Sequence, residues 1–247
     1  MNEYCILCGL PVSRATPNDM LQLVLNRIDS REGAWLMTLN TEMLSRFTRE
    51  PSYHDLLSRA DLITADGMPL VWASRFKGRD KAIPSRSTGV DLVNAYLRLP
   101  VIPPFAVIGG IDPAATIEKY GVEARAACRY LFDGKIDLTD AQTAEFATAL
   151  RDNQVRMLFL ALGGSRQDQL AYKLRQLVPD IVIAGVGGSF EILGPKGRRA
   201  PEWMQRTGLE WLFRLSREPG RLWRRYLLQY PAGISLLIKD CLRHRPN

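Results

Sequence analysis

The sequence has no long uninterrupted apolar run. No window approaches the roughly 18 consecutive apolar residues that a membrane-spanning helix needs. The first residues, MNEYCILCGLPV, also lack the basic segment and apolar run of a secretory signal peptide. We therefore expect a cytoplasmic protein that does not cross the membrane.

Cysteine and histidine are scarce, with four and two residues in a chain of 247. Four cysteines do not make a disulfide framework at this length, and the cytosol would keep them reduced. Cys5 and Cys8 form a C-x-x-C, but no second such pair completes a zinc site. We expect both to be small apolar residues of a first strand. His54 and His244 do not form a metal triad, and no D-x-D follows a strand, so we expect no metal and no cofactor.

The common nucleotide-binding fingerprints are also missing. The segments GVGGSF and ALGGSR lack the spacing of G-x-G-x-x-G after a first strand, and no G-x-x-x-x-G-K-[ST] occurs. These absences disfavour a dinucleotide-dependent oxidoreductase and a P-loop enzyme.

What is present is a regular alternation of strand-length apolar runs and segments of helical period. A chain with 46% hydrophobic and 24% charged residues can bury one substantial core. The predicted strands are 4–8, 35–39, 62–65, 105–108, 157–162 and 181–186. The predicted helices are 20–28, 42–47, 70–76, 114–131 and 167–177. This pattern predicts an α/β fold with a mainly parallel, Rossmann-like sheet flanked by helices.

Small or polar residues follow several of these strands. In open parallel sheets, ligands bind at the carboxyl ends of the strands, where glycine lets the backbone approach and helix N-termini favour anions. We therefore expect the site in these loops. The candidates are Thr38, Asn40, Asp66, Gly67, Gly109, Gly163 and Gly187.

Each polar candidate has two interpretations. Asp66 follows a strand, where a carboxylate could act as a general base, but it could equally cap the next helix. Thr38 and Asn40 could bind a sugar or cap the helix near Glu42. The sequence does not separate these alternatives.

The same holds for two residues further along. Arg86 offers a fork for phosphate or carboxylate, although a surface salt bridge is the commoner fate of an isolated arginine. Gln167 opens a helix where it could meet a nucleotide, but Ser165 and Asp168 could simply cap that helix.

The net charge of +7 is concentrated at the C-terminus. Residues 195–247 hold 12 Lys and Arg against 4 acids, whereas residues 1–194 hold 21 against 22. We predict an α/β catalytic domain, 1–194, and a basic helical appendage, 195–247, with two helices separated at Glu218–Gly220. Trp203, Trp211 and Trp223 among the arginines favour an anionic membrane surface, the alternative being a solvated basic face. Nucleic acid is a poorer fit.

Taken in order, these pieces resemble one family, the WecG/TagA/CpsF glycosyltransferases, also called glycosyltransferase family 26. The shared motifs are TLN at 38–40, ADG at 65–67, RSTGVD at 86–91, GGSRQD at 163–168, GVGGSF at 185–190, RAPEW at 199–203, GLEWLFRLSREPGR at 208–221 and RY at 225–226. The match spans nearly the whole chain.

The resemblance implies an inverting, metal-independent transfer of N-acetylmannosamine, a uronic acid or a related hexose. The donor would be a UDP-sugar, and the acceptor a polyprenyl-diphosphate-linked sugar at the inner face of the cytoplasmic membrane. In the family the aspartate of ADG is the proposed base and the threonine of TLN assists it. Asp66 and Thr38 inherit those roles, with Arg86 and Gln167 lining the pocket. The arginines implied to lie over the diphosphate are Arg214, Arg217, Arg221, Arg224 and Arg225.

The family also suggests self-association. In one loop the chain departs from the family, because the usual P-K-Q-E is Ser165-Arg166-Gln167-Asp168 here. The family's h-G-y-f loop is replaced by YLFDGKIDL. A non-catalytic scaffold of a polysaccharide-assembly complex is therefore the alternative function.

Overall fold

A computed structural model describes residues 3–47 and 49–243 of the chain. Within them a single sheet is built from eight strands. The strands are β1 (Tyr4–Leu7), β2 (Leu10–Ser13), β3 (Ala34–Leu39), β4 (Leu62–Ala65), β5 (Phe105–Gly109), β6 (Cys128–Phe132), β7 (Met157–Ala161) and β8 (Val182–Gly185).

Helices connect the strands in the body, residues 3–194, and continue into the C-terminal tail, residues 195–243. Those of the first 194 residues are α1 (Pro17–Ser30), α2 (Thr41–Arg46), α3 (Pro51–Leu57), α4 (Met68–Arg75), α5 (Gly89–Tyr96), α6 (Pro113–Lys119), α7 (Val122–Ala127), α8 (Asp140–Asp152), α9 (Gly164–Leu177) and α10 (Ser189–Leu193), with a 3₁₀ turn at Arg79–Lys81. Those of the tail are α11 (Glu202–Arg206), α12 (Glu210–Arg217), α13 (Pro219–Arg224), a π-helical segment (Arg225–Gln229) and α14 (Tyr230–Arg243).

The strand order is β1-β2-β4-β3-β8-β7-β5-β6, and every neighbouring pair except β1 with β2 is parallel. The central strands β5, β7 and β8 are buried along their whole length. Apolar strands buried on both faces need helices on both sides of the sheet. The predicted α/β class, with its parallel Rossmann-like sheet and helical C-terminal tail, is confirmed.

Three local predictions were wrong. Residues 114–131, expected as one helix, form α6, α7 and the edge strand β6, because Gly121 interrupts the helix at φ +102°. Cys5 lies buried in β1 as expected. Cys8, however, lies in the turn to β2, where it and Gly9 have φ of +50° and +83°. The tail, expected as two helices, breaks at Glu218 as predicted, but its described part, residues 195–243, forms four α-helices.

The tail packs against the body through α14. Gly233 of α14 lies against the backbone of Thr41 in α2 so closely that a Cβ atom would come within 1.9 Å of the Thr41 carbonyl oxygen. Further along α14, Asp240 accepts from the Cys8 backbone N–H at 3.0 Å and pairs with Lys77 at 2.9 Å. The tail therefore closes over the carboxyl ends of β3 and β4.

Candidate active site

The carboxyl ends of β3, β4, β7 and β8 open into one cavity of about 570 Å³, which the tail covers. This is the edge of the sheet where parallel strands present ligand-binding loops. Ten of the residues predicted from the sequence line it. They are Thr38, Asn40, Asp66, Gly67, Arg86, Gly163, Gln167, Gly187, Arg214 and Arg225.

Asp66 follows β4, and its backbone N–H donates to the Leu39 carbonyl at 2.7 Å, which fixes it beside the end of β3. The cap position of α4 is Gly67, and no side chain hydrogen-bonds that helix end. The helix-cap alternative for Asp66 is therefore wrong. Burial raises the pKa of Asp66 to about 6, with Arg86 lowering it and Glu210 raising it. At neutral pH the group is mainly a carboxylate that can accept a proton.

The two polar residues of the TLN segment are held in different ways. The Thr38 hydroxyl donates to the Gly185 carbonyl at 3.1 Å, which directs this side chain across the β3–β8 boundary. The Asn40 side-chain oxygen accepts from the Met43 N–H at 3.1 Å and so caps α2. Since both also line the cavity, the capping role and a place at the site coexist in Asn40.

Gln167 joins two glycine loops. Its side-chain oxygen accepts from the N–H groups of Gly187 at 2.9 Å and Gly163 at 3.3 Å. A Cβ at Gly185 would lie 2.4 Å from the Gln167 amide nitrogen, so the glycine is needed for this approach. Gln167 therefore shapes the cavity floor by positioning backbone.

The loop at 165–168, whose sequence differs from the family motif, is held by hydrogen bonds to residues of α2 and α3. Asp168 is buried and accepts from the Tyr53 hydroxyl at 2.5 Å, while Arg46 donates to the Ser165 hydroxyl at 2.9 Å. Burial raises the pKa of Asp168 to about 7, an effect that the Tyr53 hydrogen bond and Arg46 oppose. The shortened acid thus has a partner of its own.

A model of the "Glycosyl transferase WecG/TagA/CpsF family" matches residues 5–247. The chain belongs to this family. A Bacillus spizizenii protein is 30% identical over 86% of this chain and 81% of its own length. A Bacillus subtilis strain 168 protein is also 30% identical, over 86% of this chain and 82% of its own length. Both are N-acetylglucosaminyldiphosphoundecaprenol N-acetyl-beta-D-mannosaminyltransferases. The resemblance seen in the motifs is confirmed, and the chain is a glycosyltransferase.

Two carboxylates of this WecG/TagA/CpsF site were missed by the sequence reasoning. Glu210 of α12 accepts from Arg86 at 2.5 Å, and Gln205 accepts from the same guanidinium at 2.9 Å. Glu42 of α2 lies 2.9 Å from Arg225. Arg86 therefore holds the tail in place. The sequence had suggested that Arg86 binds a phosphate or carboxylate ligand or forms a surface salt bridge, and neither interpretation predicted a partner in the tail. The only available signal was the position of each acid inside a motif, Glu42 after TLN and Glu210 in GLEW.

Four predicted residues lie outside the cavity lining. Gly109 packs under Leu162, and a Cβ there would come within 2.4 Å of that side chain. Arg221 pairs with Glu218 and, at 3.6 Å, with Glu191. The other two, Arg217 and Arg224, are exposed on the tail, with Arg224 over the Trp223 ring at 5.3 Å. Their roles in binding stay predictions.

Two features are absent from the described residues, a metal site and a membrane-spanning helix. Residues 3–47 and 49–243 contain no group of three or more His, Cys, Asp or Glu side chains that could hold a metal ion. None of the helices in that part of the chain has the length and apolar character needed to cross a membrane.

Proposed function

We propose that this glycosyltransferase is an inverting enzyme that moves a sugar from a UDP-sugar to a polyprenyl-diphosphate-linked acceptor in envelope or exopolysaccharide synthesis. The observation that carries the proposal is Asp66, a carboxylate of raised pKa in a cavity that also holds Thr38 and three arginines. The activity of both Bacillus relatives, transfer of N-acetylmannosamine onto a diphosphoundecaprenol-linked sugar, supports the same acceptor class. The transferred unit would be N-acetylmannosamine, a uronic acid or a related hexose.

The proposed chemistry is a single displacement. Asp66 removes the proton of the acceptor hydroxyl as that oxygen attacks the anomeric carbon, and UDP leaves from the opposite face, which inverts the configuration. Thr38, oriented by its bond to the Gly185 carbonyl, lies beside the same strand end and assists the base.

Negative charge that develops on the departing diphosphate needs positive groups in the cavity. Arg214 and Arg225 line the cavity, and the N-terminus of α9 is presented to it by Gly163 and Gly164. Backbone N–H groups at a helix N-terminus and guanidinium groups both stabilise phosphate oxygens. These groups would make the transfer metal-independent.

The test is release of UDP from a UDP-sugar in the presence of a lipid-diphosphate-linked sugar. Asp66→Asn should lower kcat by about 10²- to 10⁴-fold, the usual contribution of a general base. Asp133→Asn, a matched change at an exposed carboxylate, should leave turnover unchanged. Turnover of Asp66→Asn at the wild-type rate would remove Asp66 as the base.

A scaffold that keeps the fold without the chemistry, suggested by the changed loop at 165–168, is disfavoured by the family match and by the transferase activity of both relatives. An enzyme should gain thermal stability from its nucleotide, because a ligand that binds only the folded state raises Tm. A scan of UDP and UDP-sugars by thermal shift separates the two, since a scaffold need not respond to any of them.

A further inference from the structure

A row of exposed apolar side chains leaves the cavity along two helices. Trp72 of α4 and Phe76, which caps the end of that helix, are 42% and 63% exposed. On α14, Ile234, Ile238 and Leu242 are 37%, 54% and 61% exposed. Residues four apart lie on the same helix face, so each helix presents its own apolar stripe.

The two stripes lie on the same side of the molecule. Both helices begin at the cavity, which is lined by Met68 and Trp72 of α4 and by Pro231 and Ile234 of α14. Away from the cavity the helices touch again, where the Cys241 thiol meets the Ala73 carbonyl at 3.5 Å. The helices therefore run in parallel from the cavity.

When two packed helices run in the same direction, the residue just before the contact on one helix and the residue just after the contact on the other point to the same side of the pair. Trp72 and Phe76 each precede a residue turned toward α14, namely Ala73 and Lys77. On α14, Leu242 follows by one position Cys241, which meets Ala73, and Ile238 and Ile234 lie one and two turns before Leu242 on the same face. The two stripes therefore border one apolar path.

This path has the length and composition for a hydrocarbon chain. From Ile234 to Leu242 the helix rises about 12 Å, at about 1.5 Å per residue. The nearby side chains of Lys77 and Asp240 are largely buried and form an ion pair with each other at 2.9 Å. Exposed Lys239 and Arg243 lie on α14 beside the stripe. A soluble protein has little reason to expose such a row unless an apolar partner covers it.

We infer that the path over Trp72, Phe76, Ile234, Ile238 and Leu242 is the binding site for the hydrocarbon chain of the lipid-linked acceptor. This inference rests on the proposed function, because the acceptor's sugar would sit in the cavity where the path begins. The cavity end and the apolar end then bind the two ends of one amphipathic molecule.

The first measurement is the affinity in detergent micelles for two diphosphate-linked N-acetylglucosamines, one on an undecaprenyl chain and one on a short alkyl chain. In the wild type the long chain should bind more tightly. In the double variant Phe76→Ser/Ile238→Ser, the ratio of the two affinities should fall about tenfold, which corresponds to about 1.4 kcal/mol of lost apolar burial. Val122→Ser, at a residue 77% exposed on α7, is the matched control and should keep the ratio.

The outcomes separate this inference from the proposed function. A fall in the ratio without any sugar transfer by the wild type would support the lipid path and overturn the proposed function. Normal transfer with an unchanged ratio would overturn the path alone. The path would also be overturned if the double variant kept the ratio but no longer floated with acceptor-free vesicles, because the stripes would then contact the bilayer itself.

Discussion

At the residue scale, Asp66 is surrounded by groups of both signs. Arg86, Glu210, Asp91 and Arg225 all act on it, and burial is the largest influence on its pKa of about 6. A base of this pKa works only when it is unprotonated. We therefore expect kcat/KM to fall as the pH drops through about 6 and to level off above it, as measured by a pH profile of UDP release.

The Glu210→Gln variant tests how that pKa is set. The Glu210 carboxylate raises the pKa of Asp66, and it also holds Arg86, which lowers it. In the Glu210→Gln variant the repulsion from Glu210 is gone and the positive charge of Arg86 is no longer neutralised by it. Both changes favour the carboxylate form of Asp66. The acid limb of the pH profile should move to lower pH, whereas Glu202→Gln, on the exposed face of α11, should leave it in place. A limb that moves to higher pH would contradict this assignment.

The same burial predicts a cost in stability. Because folding raises the pKa of Asp66 above its ordinary 3.8, the folded protein binds the proton more tightly, and stability falls as the pH rises from about 4 to about 6. Asp66→Asn removes the buried charge. The variant should be more stable than the wild type at pH 8, by up to about 3 kcal/mol, and the difference should shrink at pH 4. Urea unfolding at the two pH values measures this.

At the scale of elements, the docking of α14 on α2 depends on one glycine. A Cβ at Gly233 would meet the Thr41 carbonyl oxygen at 1.9 Å, and backbone cannot move aside as a flexible side chain can. Gly233→Ala should therefore destabilise the protein although alanine favours helix by about 1 kcal/mol. Hydrogen exchange should increase along α14, and the pairing of Arg225 with Glu42 should be lost.

The control for that change is Gly220→Ala in α13. No atom lies within 4 Å of the Cβ that this substitution would add. The variant should keep the wild-type exchange pattern along α14, with a Tm equal to or above that of the wild type because alanine favours helix. Equal destabilisation by the two substitutions would mean that the contact between Gly233 and Thr41 is not what holds the tail.

At the scale of the whole molecule, the charge is divided between a near-neutral body and a tail of +8, from 12 basic and 4 acidic residues. We propose that this tail brings the enzyme to the inner face of the cytoplasmic membrane as a peripheral protein. Exposed arginines and lysines near an anionic bilayer contribute about 1 kcal/mol each, and salt screens them.

Vesicle flotation tests the membrane proposal. The wild type should float with phosphatidylglycerol vesicles at low salt and less at high salt. The triple variant Arg217→Glu/Arg224→Glu/Lys239→Glu should lose flotation by tenfold or more. Three matched reversals on the body, Arg125→Glu/Arg129→Glu/Lys135→Glu, should retain it. Retention by the tail variant would disprove the role of tail charge.

Some of this architecture depends on interactions between near neighbours in the chain, and the sequence predicts that part. The buried strands β5, β7 and β8 are apolar runs, and Thr88 caps α5 through a residue three positions away. Where local signals conflict, prediction fails. Most of residues 128–132 were included in a predicted helix over 114–131, but they form a strand that pairs with the edge of β5.

By itself, the sequence determined the α/β class, the family and the positions of Asp66 and Thr38, because each rests on the order of residues along the chain, from short motifs to the alternation of strands and helices. Only the tertiary structure decided what surrounds them. Arg86 and Glu210 are 124 positions apart and meet because the tail folds back over the sheet. Such pairings depend on the path of the whole chain, since Coulomb and hydrogen-bond partners are chosen by distance in space and no local pattern encodes that distance.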